Sequence, residues 1–466
     1  MSRPQLDKVG KMNILSKYKL VLAISGIVCL LSSAHLFNKI GGTPFHGDES
    51  GWISSGNYYW ELLLKGDFSR ENWMCPECGP WGSLNMHLGK LLIGIPSRIA
   101  SQETGREFSS YYAWGQSLEE NLKGGNVPPR EILLQTRRAS AVFGVLCCLL
   151  VFTIGYFSHI VWTGLIAALL LLNNQLFSES ATRAMTDIHY NFFLLSLAVS
   201  TFSILKCRKK SYMILASSCS GLLAGLAGAV KITGIIITGL VFLAVILYEG
   251  ILGKLQKSDI ALSIALFSLL SVSTIYVLNP YFWPSFNAIS GKAIMYEVQS
   301  LSKELAAGKA RGSGIRGRYP QLSNLSNVLE FPNMFLRWRS FMRQDLPFWK
   351  SGRWDGNKFA SFHQQLLHNY SSFFLEWVFL IVGIATCCSS LRSCLSTKEI
   401  SPLVIPFLYF VINYAFILTF MELNWGRYYL PTVIASKVLV AVGIYEVTTL
   451  AFGYVGQCFP SLTSKR

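Results

Sequence analysis

Long apolar runs recur along the chain, separated by segments that carry most of its charged residues. A run of about 20 apolar residues is long enough to cross a bilayer as an α-helix. The pattern predicts ten such spans, and the third is the weakest because "LLNNQLF" brings polar residues into its end. Their expected limits are Tyr18–Phe37, Ala139–His159, Ile160–Phe177, Ile188–Leu205, Tyr212–Val230, Ile232–Tyr248, Ile260–Leu278, Phe373–Cys388, Leu403–Met421 and Tyr428–Phe452.

The distribution of Lys and Arg predicts the orientation of these spans. The residues before the first span are strongly basic, which favours a cytoplasmic N-terminus. Alternate crossings then place four further basic segments on the same side: "KCRKK", "GKLQK", "SSLRSCLSTK" and the C-terminal "SKR". We therefore expect both termini in the cytoplasm. The first run is interpreted as a retained anchor, and a cleaved signal peptide is the alternative.

Two segments on the outer side are too long to be simple connections. External loop 1 covers about 38–136 and external loop 2 about 279–372. Loops of this length inside one domain usually carry structure or function. In the first, "GKLLIGIPSRIA" has apolar positions at helical spacing between basic ends, which predicts a helix lying in the membrane interface. The second contains the glycosylation sequons at Asn324 and Asn369, a pattern that is common by chance.

Composition agrees with one polytopic domain over residues 1–466. The chain is 51% hydrophobic and 14% charged, against about a quarter charged in soluble proteins. The formal charge of +16 is explained by cytoplasmic loops and contacts with phosphate groups, so no nucleic-acid partner is expected. Of the eleven cysteines, Cys75 and Cys78 stand out in a polar loop, where a local disulfide or two free thiols are favoured over a zinc site.

Charged residues next to the outer ends of the spans form five groups. Such residues are costly near lipid unless they are paired or functional. The pair Arg183 and Asp187 has a structural alternative, because residues four apart on a helix can simply pair with each other. The candidate site residues are Asp48 and Glu49 after span one, Arg137 and Arg138 at span two, Arg183 and Asp187 between spans three and four, Lys231 between spans five and six, and Arg427 before span ten.

This combination of charges suggests transfer chemistry on an anionic substrate. A carboxylate such as Asp48 can take a proton from an acceptor hydroxyl or amine as a general base. Arg and Lys can hold a phosphate and neutralise the charge that develops on it as it leaves. If that phosphate belongs to a lipid, it lies at the depth where these cations are expected.

Several motifs together resemble a known family. The stretches "GDES", "NMHLGKLLIGI", "RRASAVFG", "SATRAMTDIHYNFFLL", "GLLAGLAGAVKITG", "NPYFWP" and "GRYYLP" occur in the order found in protein O-mannosyltransferases and aminoarabinose transferases. These are polyprenyl-phosphate-sugar-dependent glycosyltransferases of the GT-C fold. The resemblance runs from Gly47 to Pro431, and it rests on the order and spacing of motifs that are individually short.

The resemblance implies roles for matching positions. It places the catalytic base on Asp48 with Glu49 beside it, and it brings Arg183, Asp187, Arg137 and Lys231 to the active site at the outer membrane surface. It implies an inverting transfer from a polyprenyl-phosphate-linked sugar to a protein or glycolipid acceptor. No metal site and no cofactor are indicated, although a divalent cation is not ruled out by the motifs.

Two departures from the family leave the sugar and the acceptor open. Met86 and His87 stand where the mannosyltransferases usually have two prolines before "LGK". The large soluble insertion of the eukaryotic members is missing from the matched region, and no large C-terminal domain is expected. The compact form favours the bacterial inner membrane over the endoplasmic reticulum. A transporter or lipid flippase is the main alternative function, and a noncatalytic partner subunit is a third.

Overall fold

The computed structural model describes residues 14–75, 78, 82, 86–206, 210–253, 255–283, 370–397, 401–420 and 430–458. No strand occurs in these ranges, in agreement with the expected all-α architecture. The α-helices in them are α1 (Ile14–Lys39), α2 (Asp48–Lys65), α3 (Arg70–Met74), α4 (His87–Thr104), α5 (Leu118–Lys123), α6 (Arg130–Ser158), α7 (Val161–Leu172), α8 (Gln175–Thr182), α9 (Asp187–Lys206), α10 (Lys210–Val230), α11 (Thr233–Ile251), α12 (Lys257–Leu278), α13 (Tyr370–Thr397), α14 (Val404–Phe420) and α15 (Leu430–Cys458).

The apolar helices identify a multi-pass membrane protein. Among the described residues, seven helices are long and apolar enough to cross a membrane, or eight if the bent pair α7–α8 counts as one span. Shorter apolar stretches lie at Val378–Cys394 in α13 and Val404–Phe416 in α14. Every one of the ten expected spans thus coincides with an apolar helix, although three of the ten are not full spans by this measure.

The third expected span, Ile160–Phe177, is not one straight helix. Helix α7 ends at Leu172, and α8 leaves it at an angle of 71°. The break falls at Asn173 and Asn174, and the Asn174 side chain accepts a hydrogen bond from the Phe177 amide at 3.0 Å. Asn is a strong N-cap residue, so it starts a new helix instead of continuing the old one. The bend carries α8 and the following segment across to the residues of the candidate site.

External loop 1 is a packed layer of short helices. Helix α2 packs against α4, and α4 packs against α6 and α10. The expected interfacial helix is present as α4, and its first turn is packed inside the protein. His87 and Lys90 at its start are fully buried, while Ile95 and Ile99 are exposed. Only part of the apolar face is therefore available to lipid.

A buried cluster fastens this layer to the end of α12. The Lys90 ammonium donates to the Gly82 carbonyl and lies 4.6 Å from the centre of the Tyr59 ring. The His87 ring lies within 3.1 Å of both the Asn279 Oδ1 and the Trp73 carbonyl oxygen. Burial, assisted by the charge of Lys90, lowers the pKa of His87 well below its usual value. The neutral ring can donate to only one of the two oxygens.

The two cysteines that stand out in the sequence are joined. Cys75 and Cys78 form a disulfide, and both side chains are buried beside Trp73 and Tyr59. The local disulfide was one of the two favoured interpretations, and the structure selects it over free thiols. Most of external loop 2, including Asn324 and Asn369, lies outside the described residues, and so does Arg427.

One ion pair between membrane helices was not anticipated. Lys437 of α15 lies 2.5 Å from a carboxylate oxygen of Glu376 in α13, and Lys437 is buried. A charged side chain inside a membrane segment is costly alone and is usually paired. The charged residues singled out in the sequence all stand at the ends of the spans. Lys437 lies inside an apolar run, and nothing in that run indicates a partner 61 positions earlier in the chain.

The contact between α13 and α15 gives a test of the packing. A Cβ on Gly443 would overlap the Phe379 carbonyl, and one on Gly383 would overlap the Leu439 carbonyl. Small residues let membrane helices approach this closely. We expect Gly443→Ala to lower the thermal unfolding temperature of the detergent-solubilised protein. Gly26→Ala is the matched control, since nothing lies within 4 Å of its Cβ position. Equal melting temperatures for the two variants would contradict this packing.

Candidate active site

The two acids of "HGDES" open helix α2. Asp48 and Glu49 occupy its first turn, where the positive end of the helix dipole favours negative charge. Adjacent helix positions point in different directions, about 100° apart. Glu49 is completely buried, whereas the Asp48 side chain keeps 11% of its surface exposed. The pair therefore divides into an inner and an outer acid.

The inner acid is held by Arg137 in a two-point ion pair. The Arg137 Nε donates to Glu49 Oε1 at 2.8 Å, and its Nη2 donates to Oε2 at 2.7 Å. The remaining guanidinium hydrogens go to the carbonyl oxygens of Ile40, Thr43 and Pro44. All five N–H groups of this arginine are engaged within the protein. This geometry favours a structural role for Arg137 over the phosphate-binding role expected from the sequence.

Glu49 also accepts two backbone hydrogen bonds. The Ala184 amide donates to Oε1 at 2.8 Å, and the His46 amide donates to Oε2 at 3.0 Å. Its carboxylate thus joins the start of α2, helix α6 and the segment between α8 and α9. Glu49 is fully buried and its carboxylate already accepts four hydrogen bonds, so an acceptor hydroxyl has no access to it.

The outer acid, Asp48, has a different neighbour. One of its carboxylate oxygens lies 3.7 Å from the His46 Nδ1, and its amide donates to the same nitrogen at 3.2 Å. To accept that bond, Nδ1 must be unprotonated. Asp48 therefore combines partial exposure with a fixed position at a helix N-terminus, which are properties of a carboxylate that a substrate can reach.

A second acid is paired with the lysine between α10 and α11. The Lys231 ammonium lies 2.5 Å from Asp187 Oδ1 and 5.6 Å from the centre of the Tyr190 ring. The Asp187 side chain is 5% exposed and that of Lys231 is 20% exposed. The Asp187 carboxylate is therefore the inner member of this pair, and the Lys231 side chain is the more exposed one.

Arg183 does not pair with Asp187, which corrects the structural alternative drawn from their spacing. Helix α8 ends at Thr182 and α9 begins at Asp187, so the two residues do not share a helix. Arg183 instead lies 3.1 Å from Glu179. Its Nε is buried without a hydrogen-bond partner among the described residues. A guanidinium that still has a free N–H donor can bind an anionic ligand. A cation whose N–H groups are all engaged has no donor left for one.

Arg138 is not brought to this cluster. Its side chain is exposed, and its Nη1 donates to Gln135 on the same helix at 2.9 Å. One helix position turns a side chain by about 100°, so Arg137 and Arg138 cannot face the same interior. The doublet in the sequence is thus one buried and one surface arginine.

Contacts connect the remaining charged groups into one region. Ala184, which donates to Glu49, lies three positions before Asp187. A Cβ on Gly89 would come within 2.5 Å of Thr186 and 3.2 Å of Val230, which places the start of α4 between the segment preceding Asp187 and the residue before Lys231. Asp48, Glu49, Arg137, Arg183, Asp187 and Lys231 therefore surround the same junction of helices.

His46 was not among the candidate residues, although it begins the same motif. The sequence alone does not indicate that the His46 ring would face the Asp48 carboxylate. Among the described residues, no group of three or more His, Cys, Asp or Glu side chains could hold a metal ion.

Comparisons with known proteins identify the fold. No protein-family model matches the chain, and no curated protein matches it by sequence. The Archaeoglobus fulgidus oligosaccharyltransferase in its apo form is similar in structure, with a TM-score of 0.50 and 13% identity over 96% of this chain. At that identity the similarity concerns the fold, which is that of the GT-C membrane glycosyltransferases.

Two further solved structures are similar at lower scores. The archaeal oligosaccharyltransferase AglB from A. fulgidus, in complex with an inhibitory peptide and a dolichol-phosphate, has a TM-score of 0.47 at 13% identity over 96% of this chain. ArnT from Cupriavidus metallidurans bound to undecaprenyl phosphate has a TM-score of 0.46 at 12% identity over 96% of this chain. The chain spans 52–53% of the length of the two oligosaccharyltransferase structures and 64% of ArnT.

The Glu49–Arg137 pair gives a prediction about stability. Glu49→Ala leaves a buried guanidinium without its counter-charge, which typically costs about 3–5 kcal/mol. We expect a large fall in the melting temperature and a reduced yield of folded protein. Asp48→Asn is the matched control, because it changes the neighbouring, partly exposed acid with little change in shape. Similar melting curves for Glu49→Ala and the unaltered protein would contradict the structural role.

Proposed function

We propose that this protein is a membrane glycosyltransferase that moves a sugar from a polyprenyl-phosphate carrier to an acceptor at the outer face of the membrane. The observation that carries this proposal is the contrast between the two adjacent acids. Glu49 is fully used in holding the site together, and Asp48 beside it keeps a reachable carboxylate. The GT-C fold supports the same class of reaction.

Asp48 is the proposed general base. In a single displacement, the acceptor oxygen attacks the anomeric carbon while Asp48 takes the proton from that oxygen. The bond between the anomeric carbon and the phosphate oxygen breaks, and its electron pair leaves with the lipid phosphate. The configuration at the anomeric carbon is inverted. Glu49, which was expected to share this role, positions Asp48 through its bonds to Arg137, His46 and Ala184.

Lys231 and Arg183 are the proposed ligands of the lipid phosphate. The Lys231 side chain is the more exposed member of its pair with Asp187, and the Arg183 Nε has no hydrogen-bond partner in the part of the chain that the structure describes. A positive charge at this place would neutralise the charge that develops on the departing phosphate. Asp187 then acts by orienting Lys231. The expected contributions of Arg138 and Arg427 have no support from contacts, the second because it lies outside the described residues.

The proposal also covers the donor sugar, the acceptor and the membrane in which the protein lies. The donor is a polyprenyl-phosphate-linked sugar, with a hexose such as mannose as the working assumption, and the acceptor is a protein or a glycolipid. No cofactor is assigned. The bacterial inner membrane is favoured for the location. A transporter or flippase is a weaker candidate, because the reachable carboxylate and cations lie at helix ends and in loop 1.

The role of Asp48 predicts a catalytic defect without a folding defect. Asp48→Asn should lower transfer from a labelled polyprenyl-phosphate sugar by about 10²- to 10⁴-fold, the usual cost of losing a general base. The melting temperature and membrane insertion should be unchanged. Assays with a panel of lipid-linked sugars in proteoliposomes measure the first effect. Transfer at normal rates by Asp48→Asn would remove this residue from the mechanism.

The role of Lys231 predicts a defect in binding the carrier. Lys231→Ala should weaken binding of undecaprenyl phosphate, and Lys231→Arg should retain part of the affinity because the charge survives. Lys210→Ala is the control, since this exposed lysine belongs to an ion pair at the other end of α10. Binding to the purified protein in nanodiscs is the measurement. If all variants bound the lipid equally, the phosphate would have to lie elsewhere.

A further inference from the structure

The loop between α4 and α5 packs two aromatic rings against the residues that precede Asp48. The Tyr112 and Trp114 rings lie 5.2 Å apart between centres. Tyr112 packs against Phe45 at 5.9 Å, and Trp114 meets the His46 ring edge-on at 5.8 Å. His46 is in turn the neighbour of the Asp48 carboxylate. The two rings therefore cover the segment that leads into the proposed catalytic acid, and His46 links them to it.

The approach of these rings leaves no room for a side chain at Gly47. A Cβ there would lie 2.6 Å from Tyr112 Cδ1 and 3.0 Å from Trp114 Cζ2. Real Cβ atoms avoid the first of these distances, so any larger residue would displace the rings or the start of α2. The absence of a side chain at Gly47 therefore lets the Tyr112 and Trp114 rings pack against the segment that precedes Asp48.

Three polar residues on one face of α2 hold the loop in place. Ser54 donates to the Ser110 carbonyl at 2.5 Å, and Asn57 donates to the Phe108 carbonyl at 2.9 Å. Ser50 donates at 2.7 Å to a carbonyl beyond α5, that of Asn126. Positions 50, 54 and 57 share a helix face because they are spaced by four and three residues. The loop is therefore fastened along the same helix that begins with Asp48.

A buried asparagine fixes the part of the loop that carries Trp114. The Asn121 side chain has no exposed surface, and it bonds to both the amide and the carbonyl of Ala113 at 2.8 and 3.1 Å. It also donates to the Ser117 carbonyl at 2.9 Å. Trp114 follows Ala113 directly, so its backbone is held on both sides. An indole in such a place loses little conformational freedom when a ligand arrives.

Trp114 is nevertheless open to the surroundings. Its residue exposure is 43%, while Tyr112 below it is 8% exposed. An exposed tryptophan can serve as a membrane anchor, which requires only that it reach the interface. Anchoring explains neither the contact with His46 nor the immobilised loop. A fixed, open aromatic ring beside a carboxylate instead matches a sugar site, in which the apolar face of the ring stacks and the hydroxyls meet polar groups.

The contacts around Asp48 indicate which substrate lies there. The acceptor hydroxyl must come within hydrogen-bond reach of the general base, and Trp114 contacts His46, whose ring is the neighbour of the Asp48 carboxylate. In a single displacement the leaving phosphate and the attacking hydroxyl stand on opposite sides of the anomeric carbon. Because the phosphate is assigned to Lys231, the aromatic surface of Tyr112 and Trp114 is assigned to the acceptor.

We propose that Trp114 and Tyr112 form the acceptor subsite, and that the acceptor is a sugar ring whose hydroxyl is delivered to Asp48. This rests on the proposed function and deepens it, because it selects a glycan or glycolipid over a peptide. The sugar stacks on the open indole, and Tyr112 supports that indole from below. The loop from α4 to α5 then determines which acceptor is used.

The test compares acceptor kinetics in variants of Trp114. The purified protein in nanodiscs is assayed with labelled undecaprenyl-phosphate mannose, glucose and aminoarabinose as donors, and with octyl glycosides or a serine- and threonine-containing peptide as acceptors. Trp114→Ala should raise the KM for the glycoside by about tenfold, which is the order of one aromatic stacking contact. The KM for the donor should stay unchanged, and Trp114→Phe should restore most of the loss.

Trp162→Ala is the matched control, since Trp162 is also exposed, at 51%, but lies beyond the far end of α6. It should leave all kinetic constants unchanged. Equal glycoside KM values for Trp114→Ala and the unaltered protein, or transfer to the peptide alone, would overturn the subsite while leaving the glycosyltransferase function intact. No transfer from any donor to any acceptor by the unaltered protein would overturn both.

Discussion

The ion pair between Glu49 and Arg137 is the interaction on which the candidate site depends. Two charges buried this deeply are tolerated only because each finds a full set of partners. Arg137 donates to the carbonyls of Ile40 and Thr43, which follow the end of α1, while Glu49 accepts from amides of loop 1 and of the segment after α8. Three parts of the chain that are distant in sequence are thereby fixed at one point. Asp48 takes its position from that point.

This arrangement explains why two adjacent acids stand at the membrane surface. In the proposed mechanism one acid assembles the site and the other acts in it, and a single residue could not do both. Glu49 is fully buried and its carboxylate accepts four hydrogen bonds, so no acceptor hydroxyl can reach it. The Asp48 side chain, which keeps 11% of its surface exposed, is the more accessible of the two. The two adjacent residues therefore divide the work: Glu49 has the structural role and Asp48 the proposed catalytic role.

The sequence predicted the helices better than it predicted the partners of charged residues. Apolar runs fix the location of spans because lipid accepts few other patterns, and each expected span coincides with an apolar helix. The break at Asn173 and Asn174 was underestimated because capping is a local effect that a hydropathy average hides. The structural alternative of an ion pair between Arg183 and Asp187 was wrong, because their spacing fits a helix that the chain interrupts between them. Likewise, the burial of Arg137 and the aromatic contacts of His46 arise from tertiary packing, of which a single sequence carries no direct sign.

The ion pair between Glu376 and Lys437 has a consequence for how the protein is made. Helix α13 emerges from the ribosome before α15, so its glutamate must reach the membrane before its lysine partner exists. Glu376 lies near the start of α13, before the apolar stretch Val378–Cys394, and it reaches the membrane without a counter-charge. Its negative charge stays uncompensated until α15 has been inserted and Lys437 packs against it. The assembly of these two helices can therefore follow, but not precede, the insertion of α15.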